Sequence, residues 1–347
     1  MSALPLPVIP HLPVTALAPM QDVTDIHFMR VVAGYGCPDY FFTEYFRVHE
    51  SSNLSPKVLR SITENDTGRP VFAQMIGESV PDLVRTAKDL AQHPIAGIDL
   101  NMGCPAPRIY RKNVGGGLLR EPETVDRILG ELRQAIGGLF TVKMRIGFED
   151  TQNFAAILQL INKHKIDLLS LHGRTVKEMY HADVHYDLIA QAVQTVNCPV
   201  LANGNITSAH SAQRVLAQTQ AFGAMIGRSA IRNPWIFRQT REHLAGLPIT
   251  VVTLSDVRDY IDRLRQTATA QAVPERARVG HLKMYLNYIA QGVDPDGAFL
   301  YHMRRTQTEQ ELLELCDRDL LQPDDRPFAT EPYQGLFARP KAEAVMV

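Results

Sequence analysis

Cys104 stands in the stretch Asn101-Met102-Gly103-Cys104-Pro105, directly after the apolar run Gly97-Ile98-Asp99-Leu100. The run reads as a buried strand, so the cysteine falls in a Gly/Pro turn just past a strand end. That position is poor for packing and good for chemistry, because a thiol there can reach a ligand and exchange a proton. The bland alternative is a small apolar side chain that happens to lie in a loop. Other reactive residue types recur in the same relation to short apolar runs. Pro19-Met20-Gln21 follows the first run, and Gln74 ends another. Lys143 and Arg145 sit in a fifth, His172-Gly173-Arg174 closes a sixth, Asn203-Gly204-Asn205 a seventh and Gly227-Arg228 an eighth. Each alone has an ordinary explanation: a strand-end charge, a core histidine, a turn. Their recurrence at successive strand ends is the signal.

The elements that must hold these residues follow from the apolar pattern. Eight short runs are Thr15-Ala16-Leu17-Ala18, Tyr40-Phe41-Phe42-Thr43, Val71-Phe72-Ala73-Gln74, Gly97-Ile98-Asp99-Leu100, Thr141-Val142-Lys143-Met144, Leu168-Leu169-Ser170-Leu171, Val200-Leu201-Ala202-Asn203 and Ala224-Met225-Ile226-Gly227. Their near-continuous apolar character fits strands buried on both faces, as in a parallel sheet. Between them, Pro81 to His93, Pro122 to Ile136 and Phe154 to His164 carry apolar residues at helical spacing. Strands alternating with helices over roughly 230 residues predict an α/β fold, a (β/α)8 TIM barrel. A doubly wound sheet would need a glycine-rich fingerprint after an early strand, and none is present. After Leu247-Pro248 the strand pattern stops and three helices are expected. The first starts at Asp256 with Ser255 as its N-cap, the second runs over about 278–291 with Gly292 as its stop, and the third over about 298–315. The expected organisation is a catalytic barrel over 1–248, a small all-α domain over 249–322 and an extended Pro-containing tail over 323–347.

In such a barrel the active site lies at the C-terminal strand ends, and the last two strand ends commonly bind phosphate. Gly204 and Gly227 let backbone approach a phosphate, and Arg228 can supply a charge-assisted contact. A cofactor with one phosphate and a planar ring would extend from there across the barrel mouth. Gln74 offers a donor and an acceptor to a ring edge, and Lys143 places positive charge beside a ring that gains electrons. Flavin mononucleotide (FMN) meets all three demands.

These residues together resemble the tRNA-dihydrouridine synthase family. The resemblance is carried by Leu17-Ala18-Pro19-Met20, by Asp99-Leu100-Asn101-Met102-Gly103-Cys104-Pro105 and by Val142-Lys143-Met144-Arg145-Ile146-Gly147. It continues in Leu171-His172-Gly173-Arg174-Thr175, Val200-Leu201-Ala202-Asn203-Gly204 and Met225-Ile226-Gly227-Arg228. It covers about 15–245 strongly and 250–320 more weakly, through His281-Leu282-Lys283-Met284-Tyr285-Leu286. It implies an FMN-bound barrel and a helical tRNA-binding domain that together reduce the C5=C6 bond of specific uridines with electrons from NADPH. Carried over by position, Pro19, Met20 and Gln21 line the isoalloxazine, while Gln74 and Lys143 bind the ring. His172, Asn203, Gly204, Asn205, Gly227 and Arg228 hold the ribityl phosphate side. Cys104 is the proton donor and Asn101 places the uracil. Arg145, Arg174, Lys112, Arg278 and Lys283 are the expected tRNA contacts. Asn205 stands where many relatives have an acid, and Tyr110 where a smaller polar residue is common. The run Gly115-Gly116-Gly117 fits a mobile lid over Cys104.

Composition agrees with this reading and narrows it. The 347 residues are 45% apolar and 21% charged, as in a globular protein. Four scattered cysteines without a CxxC pair argue against a disulfide framework or a metal site, and fit a reducing cytoplasm. No apolar run is long enough for a membrane span, and Pro5, Pro7, Pro10 and Pro13 read as an extended lead-in, not a signal peptide. A net charge of −1 announces no polyanion partner, so an RNA surface has to be local. Arg276, Arg278, His281 and Lys283 share helical spacing, with Arg304-Arg305 nearby; charge alone fits a solvated face as well as an RNA face. A monomer is expected. The competing reading is a small-molecule FMN oxidoreductase of the dihydroorotate or dihydropyrimidine dehydrogenase type, against which the helical appendage argues. A non-catalytic tRNA-binding protein is opposed by the intact Cys104, Lys143 and His172.

Overall fold

Nine strands form one sheet in the computed structural model, which describes residues 3–269 and 274–336. In chain order they are β1 (Val14–Leu17), β2 (Tyr40–Phe42), β3 (Phe46–Arg47), β4 (Val71–Ile76), β5 (Gly97–Met102), β6 (Leu139–Arg145), β7 (Leu168–His172), β8 (Val200–Asn203) and β9 (Gly223–Ile226). Every pairing is parallel. The order runs from β2 through β1, β9, β8, β7, β6 and β5 to β4, and a β2–β4 pairing closes the ring. The result is the expected eight-stranded barrel. The additional β3 extends the chain beyond β2 and pairs with β4 through Phe46↔Met75.

The barrel interior is graded in polarity along the strands. Alternate residues face one side of a strand. On the inner parity, Phe72, Leu139, Leu168, Leu201 and Met225 join Val14, Ala16, Tyr40 and Phe42 in one apolar cluster, with Phe42 stacked on Phe72 at 4.9 Å. Continue two residues at a time toward the C-terminal ends and the same parity turns polar. Phe72 gives way to Gln74, Leu139 to Thr141, Lys143 and Arg145, Leu168 to Ser170 and His172, and Leu201 to Asn203. One end of the barrel is therefore a packed plug and the other a polar mouth.

Around the sheet, helices bury one apolar stripe each. Pro122–Ala135 buries Val125, Ile128, Leu129 and Leu132 and begins with proline, whose missing N–H has no intrahelical acceptor there in any case. Burial of each such leucine stabilises by about 1.5–3 kcal/mol.

The chain divides into two compact units. Of the described residues, those up to 33, 37–206 and 210–227 form the barrel unit; 34–36, 207–209 and those from 228 onward form a helical unit. The helical unit holds Arg228–Arg232, Ile236–Leu244, Leu254–Thr269, Glu275–Ile289, Ala298–Met303 and Glu309–Leu320. Its centre is aromatic: Tyr260 is buried, donates to the Ile231 carbonyl at 2.9 Å and meets Trp235 edge-on at 5.9 Å.

Two local expectations change here. The single helix expected over 298–315 is two, because Thr308 starts a new one: its hydroxyl accepts the Glu311 N–H while the Glu311 carboxylate accepts the Thr308 N–H. Ser255 is not the cap of the helix at 254. Thr253 precedes that helix and exchanges hydrogen bonds with Asp256, while Ser255 turns to Asp325. Gly292 closes the short 3-10 turn after Ile289, where a Cβ would meet the Phe328 ring at 2.5 Å. Phe328 is buried, and Arg232 donates to the carbonyls of Ala329 and Thr330, so 327–333 is bound into the helical unit. Residues 337–347 lie outside the described residues.

Candidate active site

Cys104 is held from several sides. Its own N–H and that of Gly103 both donate to Asn101 Oδ1 at 3.0 Å, and its carbonyl accepts Gly116 N–H at 3.2 Å. Arg145 Nε donates to the Gly103 carbonyl at 3.1 Å. The thiol sits beside a small apolar cluster of Tyr45, Ile76 and Ile109. Burial there raises its pKa, opposed by the charges of Arg145, Lys143 and Arg108, so the group rests protonated at neutral pH.

Beneath the turn lies a buried relay. Asn101 Nδ2 donates to Gln74 Oε1 at 2.8 Å, Gln74 Nε2 to Asp99 Oδ2 at 2.7 Å, and Thr141 Oγ1 to Asp99 Oδ1 at 2.6 Å. Gln74, Asp99 and Thr141 are adjacent in strand register. Burial pushes the Asp99 carboxyl up to about 6.

Lys143 occupies the next layer, in register with Asn101 on one side and Ser170 on the other. Its ammonium has one hydrogen bond among the described residues, to Asn203 Oδ1 at 3.4 Å. Desolvation lowers its pKa to about 8, with Arg145 adding to the effect and Asp99 opposing it. Ser170 Oγ, buried beside it, has no hydrogen-bond partner among the described residues. The mouth thus keeps open donors, a property that suits a ligand rather than a finished core.

The remaining expected residues fall into place as follows. His172 is buried, in register with Arg145 and Asn203. Asn203 Nδ2 donates to the Met225 carbonyl at 2.8 Å. Gly204 has φ +133°, which favours glycine, and its carbonyl accepts the Tyr186 hydroxyl at 2.8 Å. Asn205 has φ +45° and accepts from Arg174 at 3.3 Å. A Cβ on Gly227 would lie 3.5 Å from Ala18 and 3.6 Å from Met20 Sδ, so this glycine faces the turn of Pro19, Met20 and Gln21. Arg228 is next in the chain and begins the helix Arg228–Arg232.

Arg145 and Arg174 are 3% and 1% exposed and donate to protein acceptors: the carbonyls of Gly103, Thr175 and Met179 for the first, the Ala182 carbonyl and Asn205 Oδ1 for the second. Lys112 is exposed just after the helix Pro107–Tyr110. In the helical unit, Arg278 is paired with Glu309 at 3.0 Å and Lys283 Nζ donates to the carbonyls of Arg304 and Thr306.

Gly115-Gly116-Gly117 does not form a loose lid. It opens the buried 3-10 helix Gly115–Arg120, where Cβ atoms would meet Cys104 Cβ at 3.0 Å, Val176 at 2.4 Å and the Tyr110 carbonyl at 2.6 Å. Glycine is needed there for close packing. Tyr110 packs edge-on to Phe148 at 5.3 Å with Lys177 over its ring.

Three residues of this region escape sequence reading. Asp99 and Thr141 lie inside apolar runs, and only the shared parity with Gln74 and Lys143 gives them away. Glu44, just past β2, is 2% exposed with its carboxyl pushed up to about 7 by burial, and Gln21 Nε2 reaches it at 3.4 Å.

A parallel barrel whose polar mouth gathers a protonated thiol, a desolvated lysine and open donors is the architecture of a barrel enzyme. Residues 16–323 match the family model described as Dihydrouridine synthase (Dus), and the chain belongs to that family of oxidoreductases. It is 34% identical over 255 residues to tRNA-dihydrouridine synthase B of Yersinia pestis, covering 71% of this chain and 77% of that protein. It is 33% identical to the protein of that name from Vibrio cholerae serotype O1 (78% and 85% covered) and 31% identical to that of Proteus vulgaris (86% and 93%). Among solved structures, histamine dehydrogenase from Rhizobium sp. 4-9 superposes with a TM-score of 0.53 at 14% identity, over 74% of this chain and half of that one, a likeness of fold. Among the described residues no helix is long and apolar enough to cross a membrane.

Proposed function

We propose that the chain reduces the C5=C6 bond of uridine in tRNA, with FMN as its cofactor and NADPH as the electron source. The observation that carries the reading is the pinned Cys104 turn one strand away from the sparsely bonded Lys143, in a chain of this family. The mouth suits FMN on its own chemistry. Lys143 and Ser170 have donor capacity to spare for ring heteroatoms, and Gly204 and Gly227 directly follow the two strands at whose ends the fold binds phosphate. Pro19, Met20, Gln21 and Lys143 would hold the ring, and His172, Asn203, Gly204, Asn205, Gly227 and Arg228 the phosphate side; Gln74, expected at the ring edge, is fully buried with both amide ends taken by Asp99 and Asn101 and supports the Cys104 turn instead. When bound, FMN supplies the hydride that uracil takes at C6.

The chain's own residues do the rest. Negative charge appears at C5 and the adjacent carbonyl as C6 is reduced, and Cys104 delivers the proton to C5. Burial favours that arrangement, because a thiol with a raised pKa is fully protonated when needed. Asn101 fixes the turn through both backbone N–H groups. Arg145 and Arg174, engaged by protein acceptors, brace the loops around the mouth rather than meet phosphate directly. The uridine must leave its stack to reach this depth. We assign tRNA contact to Lys112 beside the turn and to the helical residues 249–322, distinct from the catalytic 1–248. There Arg278 and Lys283, already engaged, shape the face, and exposed Arg276 and Arg305 can extend toward phosphates. The test is conversion: purified protein with NADPH and unmodified tRNA should yield dihydrouridine and retain FMN. Absence of both, flavin and dihydrouridine, would reject the reading.

A further inference from the structure

We infer that Asp99 is a positioning residue: its buried carboxylate sets the donor–acceptor direction of the side-chain relay that ends on the two N–H groups of the Cys104 turn. This inference rests on the proposed role of Cys104. Asp99, Gln74 and Thr141 are fully buried and Asn101 nearly so, so no solvent competes within the relay.

The argument is one of polarity. An ionised carboxylate only accepts hydrogen bonds, and a backbone N–H only donates. Between these two fixed ends stand two amides, Gln74 and Asn101, each with one accepting and one donating end. Asp99 Oδ2 requires the Gln74 NH2 at 2.7 Å, which turns Gln74 Oε1 toward Asn101. That oxygen requires the Asn101 NH2 at 2.8 Å, which turns Asn101 Oδ1 toward the N–H groups of Gly103 and Cys104 at 3.0 Å. Reversing Gln74 would set oxygen against carboxylate and NH2 against NH2. Reversing Asn101 would set an NH2 against two N–H donors. Only one direction is free of repulsion; the two N–H groups fix it at the turn, and Asp99 is the side chain that fixes it at the other end. Thr141 cannot impose it, because a hydroxyl rotates to suit its neighbour.

The experiment reverses and restores the polarity. Gln74→Glu sets two carboxylates face to face across the 2.7 Å contact and should lose the relay. Gln74→Glu combined with Asp99→Asn moves the acceptor-only group by one position. The new carboxylate still accepts from Asn101, the new amide donates to it and still accepts from Thr141, so the direction at the turn is unchanged. Three readouts apply: hydrogen exchange of the peptide spanning Gly103 and Cys104, the pH profile of Cys104 alkylation by iodoacetamide followed by peptide mass spectrometry, and single-turnover dihydrouridine formation. The single variant should expose the two turn amides, shift the alkylation profile and slow turnover on the order of 10²-fold, the scale of a misplaced reacting group. The double variant should return all three close to the parent. A double variant no better than Gln74→Glu, or a Gln74→Glu variant equal to the parent, would overturn the inference. If Gln74→Glu does not fold, the double variant is set against Asp99→Leu, which deletes the acceptor. The double variant must then keep the parental exchange and alkylation profiles and Asp99→Leu must lose them; any other order overturns the inference. The exchange and alkylation readouts need no tRNA. Failure of the proposed function would show as inactivity of the parent protein and leave this comparison intact.

Discussion

Lys143→Met should make the flavin-free protein more stable while weakening its hold on flavin. The ammonium of Lys143 is desolvated at the barrel mouth and has one long hydrogen bond, at 3.4 Å. Its pKa falls from 10.5 to about 8. A tenfold loss of proton affinity corresponds to about 1.4 kcal/mol, so holding the charge there at pH 7 costs up to about 3 kcal/mol. A methionine of similar length removes the charge and keeps the packing, and a gain of about 1–3 kcal/mol is expected at pH 7. The sign with pH follows from proton counts. Between about pH 8 and 10.5 the folded lysine binds fewer protons than the unfolded one, so the parent protein gains stability as pH rises through that window. The advantage of the variant should therefore shrink between pH 8 and 10.5 and vanish above it. Urea unfolding followed by circular dichroism, on both proteins over pH 7–10.5, gives the difference directly and cancels groups common to the two. A variant less stable than the parent at pH 7, or a difference flat across the range, would refute the claim that Lys143 is kept at a cost in stability for a ligand.

Other perturbations follow from the same geometry. Cys104→Ala should still bind FMN, take electrons from NADPH and bind tRNA, yet form dihydrouridine on the order of 10²–10⁴ times more slowly; normal product formation would assign the proton to another group, and loss of flavin would make Cys104 structural. Arg228→Ala should weaken FMN retention by roughly 1.5–3 kcal/mol, read by flavin titration, if its charge faces the phosphate. Thr308→Ala removes one half of a capping box and should cost about 1 kcal/mol in thermal unfolding; an unchanged melting temperature would mean the helix Glu309–Leu320 is held by packing alone.

Most of the barrel was legible because parallel strands buried on both faces leave near-continuous apolar runs, and the eight expected runs coincide with eight strands to within a few residues. What escaped was too short or too local for periodicity. The strand β3 is two residues long. The break before Thr308 is carried by Thr308 and Glu311, three apart, inside a stretch whose helical spacing runs on across 298–315 and masks it. Thr253 and Ser255 are both competent caps, and the choice between them depends on Asp325, seventy residues away.

The site was legible in kind and illegible in division of labour. Residue types at strand ends mark Gln74, Asn101, Lys143, Arg145 and Arg174 equally as groups that bind something. The hydrogen bonds separate them. Gln74, Asn101, Arg145 and Arg174 meet protein partners on both sides of the Cys104 turn and in the loops beyond it, so they hold the mouth in shape. Lys143 and Ser170 have capacity left over and face inward. A buried polar group without a full set of partners is costly, so leaving these two undersupplied makes sense only where a ligand completes them. That surplus cannot be read from residue type, because it depends on which neighbours the barrel register brings within about 3 Å of each side chain. Asp99 is the limiting case: it sits inside an apolar run, fully buried, and yet its carboxylate anchors one end of the amide relay that supports the Cys104 turn.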